Sequence, residues 1–113
     1  MNREDVKNFG RMNDPSASAW IKGLCGDTME MYLVIENNVI KEARFYTDGC
    51  ISTCACGSLT AELVMGRNYY KALSISPNDI IESLKNLPEQ NHHCAILAVS
   101  TLYKAIANYM LQY

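Results

Sequence analysis

The 113-residue chain has no apolar run approaching the ~18 residues of a helical membrane span, which excludes an integral helical membrane protein. It has no surplus of basic charge either. Ten Lys and Arg stand against twelve Asp and Glu, for a net charge of −2, so no cationic field gathers nucleic acid. Internal repeats, linkers and low-complexity segments are absent, and the opening "MNREDVKNFG" lacks the pattern of a signal or transit peptide. A cytoplasmic protein is the resulting expectation. There is no C-x-x-C pair, and the cysteine count of five is odd, which suits a closed disulfide framework poorly.

What is present is an ordinary globular balance, 49% apolar and 19% charged, in a length that fits a single domain over 1–113 with one core. Residues 1–20 lack clear periodicity and end in the loop-like "NDPSASAW"; they are read as partly helical at 4–9 and otherwise mobile. Residues 29–35 read as a strand. Asn37-Asn38 then makes a two-residue turn, because Asn tolerates the positive φ of a type I′ hairpin. The return strand covers 39–46, with Val39, Ala43 and Phe45 on one face and Lys41 interrupting the alternation, as at a strand end or edge.

A helix is expected over "ISTCACGSLTAELVMG", closed by Gly66, with Ile51, Ala55, Leu59 and Leu63 as its core face. Ser76 caps a short helix that begins at Pro77, continues through "NDIIESLKNL" and stops at Leu87-Pro88. A last helix follows "EQNHHC", with Ala95, Val99, Leu102, Ile106 and Tyr109 on one stripe. Strands first and helices after is an α+β order, with helices covering one face of a small antiparallel sheet.

Three cysteines share one kind of address. Cys25 sits in the turn entering the hairpin, and Cys50 and Cys94 each start a helix. Helix N-termini favour thiolate, the form that binds metal and attacks sulfur. With Asp27 and His93 beside them, the three would make a soft site suited to iron–sulfur clusters or zinc. Spacing alone leaves open both a metal site and scattered core thiols.

The words around the cysteines narrow this. "GLCGDTMEMYLVIENNVIKEARFYTDGC" and "LPEQNHHCAILAVSTLYKAI" resemble the U-type iron–sulfur cluster scaffold proteins, IscU and the N-terminal domain of NifU, over roughly residues 8–107. The family's C-G-D-x-M-E-x-Y, A-R-F-x-T-x-G-C and H-C motifs all occur in order. The resemblance implies a three-stranded antiparallel sheet with helices packed on one face and a metal site at one tip. It also implies that Cys25, Cys50 and Cys94 ligate a [2Fe–2S] cluster, with Asp27 or His93 completing the coordination. Gly26 lets Cys25 and Asp27 turn towards one centre.

The implied role is a scaffold rather than an enzyme. It receives iron, takes sulfur from a cysteine desulfurase partner with Cys94 as the persulfide acceptor, and passes the cluster to apo iron–sulfur proteins. Zinc is an alternative occupant of the metal-free form. Cys94 is expected to be accessible after its polar loop, with His93 assisting its ionisation, whereas the charge of Asp48 should oppose ionisation of Cys50.

Departures from the family pattern refine this expectation. "LPEQN" at 87–91 replaces the Leu-Pro-Pro-Val-Lys loop that a dedicated Hsp70-type chaperone grips, which removes the grounds for expecting that partner. The zinc-dependent SufU-type sulfur relay, the alternative function, carries an insertion of about twenty residues that the stretch between Cys50 and Cys94 lacks. Cys54 and Cys56 are extra and are read as small core fillers, Cys54 one turn from Cys50 on the same side. Trp20, Tyr69 and Tyr70 read as packing or interface residues, His92 as solvated, and the apolar tail "IANYMLQY" as a helix end or a homodimer contact.

Overall fold

The computed structural model describes residues 3–24, 26–85 and 87–112. Three strands, β1 (Ala17–Lys22), β2 (Thr28–Glu36) and β3 (Val39–Thr47), form an antiparallel sheet in the order β1-β2-β3. Three α-helices follow: α1 (Ile51–Val64), α2 (Pro77–Ser83) and α3 (His92–Met110). The α+β class and the three-stranded sheet agree with the sequence reading.

The β2–β3 turn is set by Asn37 and Asn38, whose φ values of +53° and +66° are those of a type I′ hairpin. Glu36 pairs with Val39 across it. Between Val34 and Ile35 the register slips, so Ile35 pairs with Ile40 and Lys41 is the extra residue of a β-bulge. The bulge explains the broken alternation and corrects the expected face. Ile40, Ala43 and Phe45 point inwards, whereas Val39 is only half-buried.

The strand β1 corrects a second expectation. Residues 17–20, expected to be mobile, belong to β1, which pairs in register with β2 from Ala17–Leu33 to Lys22–Thr28. Ahead of them, Arg3–Asp5 form a single 3₁₀ turn rather than a helix over 4–9. Residues 8–10 then run beside β3, with Phe45 N donating to Asn8 O at 3.0 Å and Gly10 N to Phe45 O at 2.8 Å. They cover an edge that would otherwise present unpaired backbone groups.

The inner face of the sheet carries Ala17, Ala19, Met29, Met31, Leu33, Ala43 and Phe45, all buried. Helix α3 lies along β1 and β2, and α1 lies against β3. The α3 stripe is as expected: Ala95, Val99, Leu102 and Ile106 are fully buried, and Tyr109 packs edge-on against Tyr69.

The expected core face of α1 is the wrong one. Ile51 is 58% exposed, and Ala55, Leu59 and Leu63 are half-buried. The buried side is Thr53, Cys54, Cys56, Gly57, Thr60, Ala61 and Val64. Close packing decides the matter, since a Cβ on Gly57 would stand 2.5 Å from the Phe45 ring, so a side of small residues lets the helix settle onto β3. Burying threonines there costs little because their hydroxyls are paired, as with Thr60 Oγ1 donating to Cys56 O at 2.7 Å. Gly66 follows α1 with φ +89°, as a helix stop requires. The capping box of α2, Ser76 with Asp79, is present, but the helix ends at Ser83, before Leu87-Pro88.

Candidate metal centre

One tip of the molecule gathers the turn before β2, the loop leaving β3, and the first turns of α1 and α3. Antiparallel pairing of Met29 with Thr47 places the start of β2 beside the end of β3. Thr47, fully buried, joins them: its Oγ1 donates to Thr28 O at 2.6 Å and accepts from Gly49 N at 3.0 Å. Arg3 clamps the same loop from outside, donating to Thr47 O at 3.2 Å and to Gly49 O at 3.0 Å. The two helix starts are tied by Asn91 Nδ2, which donates to Ser52 Oγ at 3.0 Å.

The donors predicted from sequence meet here around a residue that was not predicted. Thr53 Oγ1 donates to Asp27 Oδ2 at 3.0 Å and lies 3.3 Å from Cys94 Sγ and 3.6 Å from Cys50 Sγ. His93 Nε2 is 3.7 Å from Cys94 Sγ. Cys25 lies outside the described residues, so the expectations that it joins this centre and that Gly26 turns it there are carried by the motif. Gly26 itself has φ +91° with open space around it, a backbone conformation that glycine adopts without strain. Gly49 serves differently. A Cβ there would stand 2.6 Å from Asp27 Oδ2, so the missing side chain is the space that the carboxylate occupies.

The two described thiols differ sharply. Cys50, the N-cap of α1, is exposed. Its thiol is held below the ordinary range by hydrogen bonding from Thr53, side chain first, and from the amides of Thr53 and Ser52. The carboxylate that opposes this is Asp27, not Asp48. Asp48 instead accepts the Thr28 amide at 3.2 Å, which corrects the role expected for its charge.

Cys94, the third residue of α3, is 1% exposed. The expectation of an accessible Cys94 is therefore overturned in this conformation, because the end of its loop is folded beneath Thr53. Cys54 and Cys56 are buried at 2% and 0%, with thiols raised by burial, Cys56 up to about 12, as befits packing residues.

Among the described residues, no three His, Cys, Asp or Glu side chains are already gathered as a single-ion site. The chemistry of the donor set nevertheless fits iron or zinc: two sulfurs and a carboxylate about one hydroxyl, with an imidazole beside one of the sulfurs. Thr53, Thr47 and Arg3 were missed because hydroxyl and guanidinium groups are not the donors that an iron–sulfur or zinc site uses. Spacing carried the one available signal for Thr53, which lies three residues after Cys50 and so on the same side of α1.

The chain matches the model of the NifU-like N-terminal domain over residues 3–113. It is 37% identical over 111 residues to the iron–sulfur cluster assembly scaffold protein IscU of Escherichia coli K12, covering 94% of this chain and 86% of that one. It is 32% identical over 107 residues to a scaffold protein IscU of Archaeoglobus fulgidus, covering 94% and 70%. The fold superimposes on the N-terminal part of a nitrogen-fixing NifU-like protein from Brucella abortus, with a TM-score of 0.75 at 16% identity over 98% of this chain and 90% of that one. It also superimposes on a scaffold protein for the SUF system from Fervidobacterium islandicum, with a TM-score of 0.73 at 22% identity over 92% and 90%.

Proposed function

The chain belongs to the NifU-like N-terminal domain family of iron–sulfur cluster scaffolds, and from that premise we propose that it is the surface on which a [2Fe–2S] cluster is built and from which it is handed on. The cluster is cargo here. The observation that carries the reading is the meeting of Asp27, Cys50 and Cys94 within 3.6 Å of one hydroxyl at a loop-built tip, with His93 adjoining. Cys25 joins them by its motif.

Thiolates supply soft, tight ligation, whereas Asp27 supplies a hard oxygen that exchanges readily. A set of this mixed kind suits temporary holding. Sulfur comes from a cysteine desulfurase, iron arrives separately, and apo iron–sulfur proteins receive the product. The protein's part is to bind and orient, without turnover of its own.

Anaerobic reconstitution with ferrous iron and sulfide tests the proposal. The expected product is coloured, with iron and acid-labile sulfide in equal amounts. Serine at Cys25, Cys50 or Cys94 should abolish a stable cluster, and Cys56→Ser should leave the spectrum nearly unchanged. A colourless protein that retains zinc and accepts persulfide from the desulfurase would replace the scaffold reading with a sulfur relay.

A further inference from the structure

We infer that Arg3 is a positioning residue of the candidate centre: its guanidinium fork locks the connection between β3 and α1, and that lock sets how long bound cargo stays. The inference rests on the scaffold reading for its meaning, but the lock itself can be measured in the metal-free protein.

The chain passes from the end of β3 at Thr47 to the N-cap of α1 at Cys50 through only Asp48 and Gly49. Thr47 and Gly49 are buried, so their carbonyls need partners. Arg3 supplies both. One terminal nitrogen donates to Thr47 O at 3.2 Å and the other to Gly49 O at 3.0 Å. A planar fork meets two carbonyls at once in a fixed geometry, whereas an ammonium is a single point charge. From the inner side, Thr47 Oγ1 accepts from Gly49 N at 3.0 Å. Gly49 is thus held on both sides, and Asp27 packs against it, since a Cβ there would stand 2.6 Å from Asp27 Oδ2. What fixes Gly49 fixes the seat of Asp27 and the start of the helix that Cys50 caps.

Arg3 is itself anchored. Val6 N donates to Arg3 O at 3.1 Å, Phe9 N to Val6 O at 3.1 Å, and the Phe9 ring packs edge-on against Phe45 at 5.4 Å. With Cys50 and Cys54, Arg3 also lines a cleft of about 390 Å³. Without the guanidinium, two buried carbonyls lose their donors, water enters from this cleft to replace them, and the connection gains freedom beside the ligands. The guanidinium is always charged and a cluster held by thiolates is anionic, so its charge acts in the same direction as its position. Lysine separates the two effects, because it keeps the charge and loses the fork.

Arg3→Gln and Arg3→Lys test this with two measurements. In the metal-free protein, amide exchange is read at Gly49 and Thr28, whose N–H groups donate to Thr47 Oγ1 and Asp48 Oδ1. Both should exchange at least about tenfold faster in Arg3→Gln, while Leu102 and Ile106 in α3 keep their protection. In the reconstituted protein, iron should pass to an excess of chelator at least about fivefold faster in Arg3→Gln than in the wild type. Arg3→Lys should lie within about twofold of Arg3→Gln in both measurements, because position rather than charge is the larger effect.

The α3 amides are the fold control, and if Arg3→Gln unfolds, Arg3→Lys against the wild type decides the question. Wild-type exchange at Gly49, or wild-type iron loss, in a folded Arg3→Gln protein would overturn the inference. Full rescue by Arg3→Lys would overturn it too, since charge alone would then account for retention. A wild-type protein that takes up zinc but no cluster would overturn the scaffold reading alone. Exchange at Gly49 and zinc loss to the same chelator would then decide the role of Arg3.

Discussion

At the scale of single residues, Asp27 is the side chain whose removal is expected to separate holding from handing on. Its carboxylate fills the space left by Gly49 and accepts the Thr53 hydroxyl. A carboxylate that competes for iron admits water and exchange, so Asp27→Ala should give a cluster with a longer half-life under air and slower transfer to an apo-ferredoxin. Faster loss in the variant would show instead that the carboxylate is a required ligand. The proximity of Asp27, Cys50, His93 and Cys94 was legible in the sequence because each stands in a short motif with its own chemistry. Thr53 was not. A threonine inside a helix looks the same whether its hydroxyl bonds a backbone carbonyl, as Thr101 does with Leu97, or bridges a carboxylate and two sulfurs.

Among the elements, legibility followed how far local chemistry could decide structure. The β2–β3 hairpin was readable because Asn37-Asn38 fixes a turn that few other pairs can make. Strand β1, "ASAWIK", was not, because it holds its register through backbone pairing with β2 and buries only small residues, Ala17 and Ala19, while Trp20 faces solvent. Helix α1 carries apolar residues on two sides, and periodicity favoured the stripe through Ile51. Contact with Phe45 favoured the other side, since only small residues fit there. Gly57→Ala tests that account. A methyl placed 2.5 Å from the Phe45 ring and 3.0 Å from Met29 Cε must displace one or the other, at a cost of about 1–3 kcal/mol despite the better helix propensity of alanine. Denaturant melts should show a lower midpoint with an unchanged slope; a stabilised variant would mean that α1 does not rest on β3 this closely.

For the molecule as a whole, the leading segment is a strap that joins the sheet, α1 and the candidate centre. Arg11 makes a two-armed bond to Glu30 on β2, at 2.8 and 3.0 Å, and stacks over Tyr46. Lys7 and Asn8 bond Glu62 on α1 at 2.9 and 3.2 Å. Arg3, on the same segment, holds the carbonyls of Thr47 and Gly49, immediately before Cys50. Two of these ties depend on ionised carboxylates. Glu30 is held below its ordinary range chiefly by hydrogen bonding from Arg11, and Glu62 chiefly by hydrogen bonding from Lys7. A carboxyl group whose folded value is depressed adds stability that is fully present above its unfolded value, near 4.5, and is lost as pH falls through the lower folded value. Both pairs are partly or largely open to solvent, so salt should weaken them as acid does. The strap should therefore loosen below about pH 4.5, and do so earlier in 1 M salt, before the core opens. Amide exchange, corrected for its intrinsic pH dependence, reads this at Gly10 and Phe45, whose amides hold the strap to β3. Their protection should fall first, while that of Leu102 and Ile106 in α3 persists. Simultaneous loss at all four amides would show that the strap is part of the cooperative core rather than a separable tie.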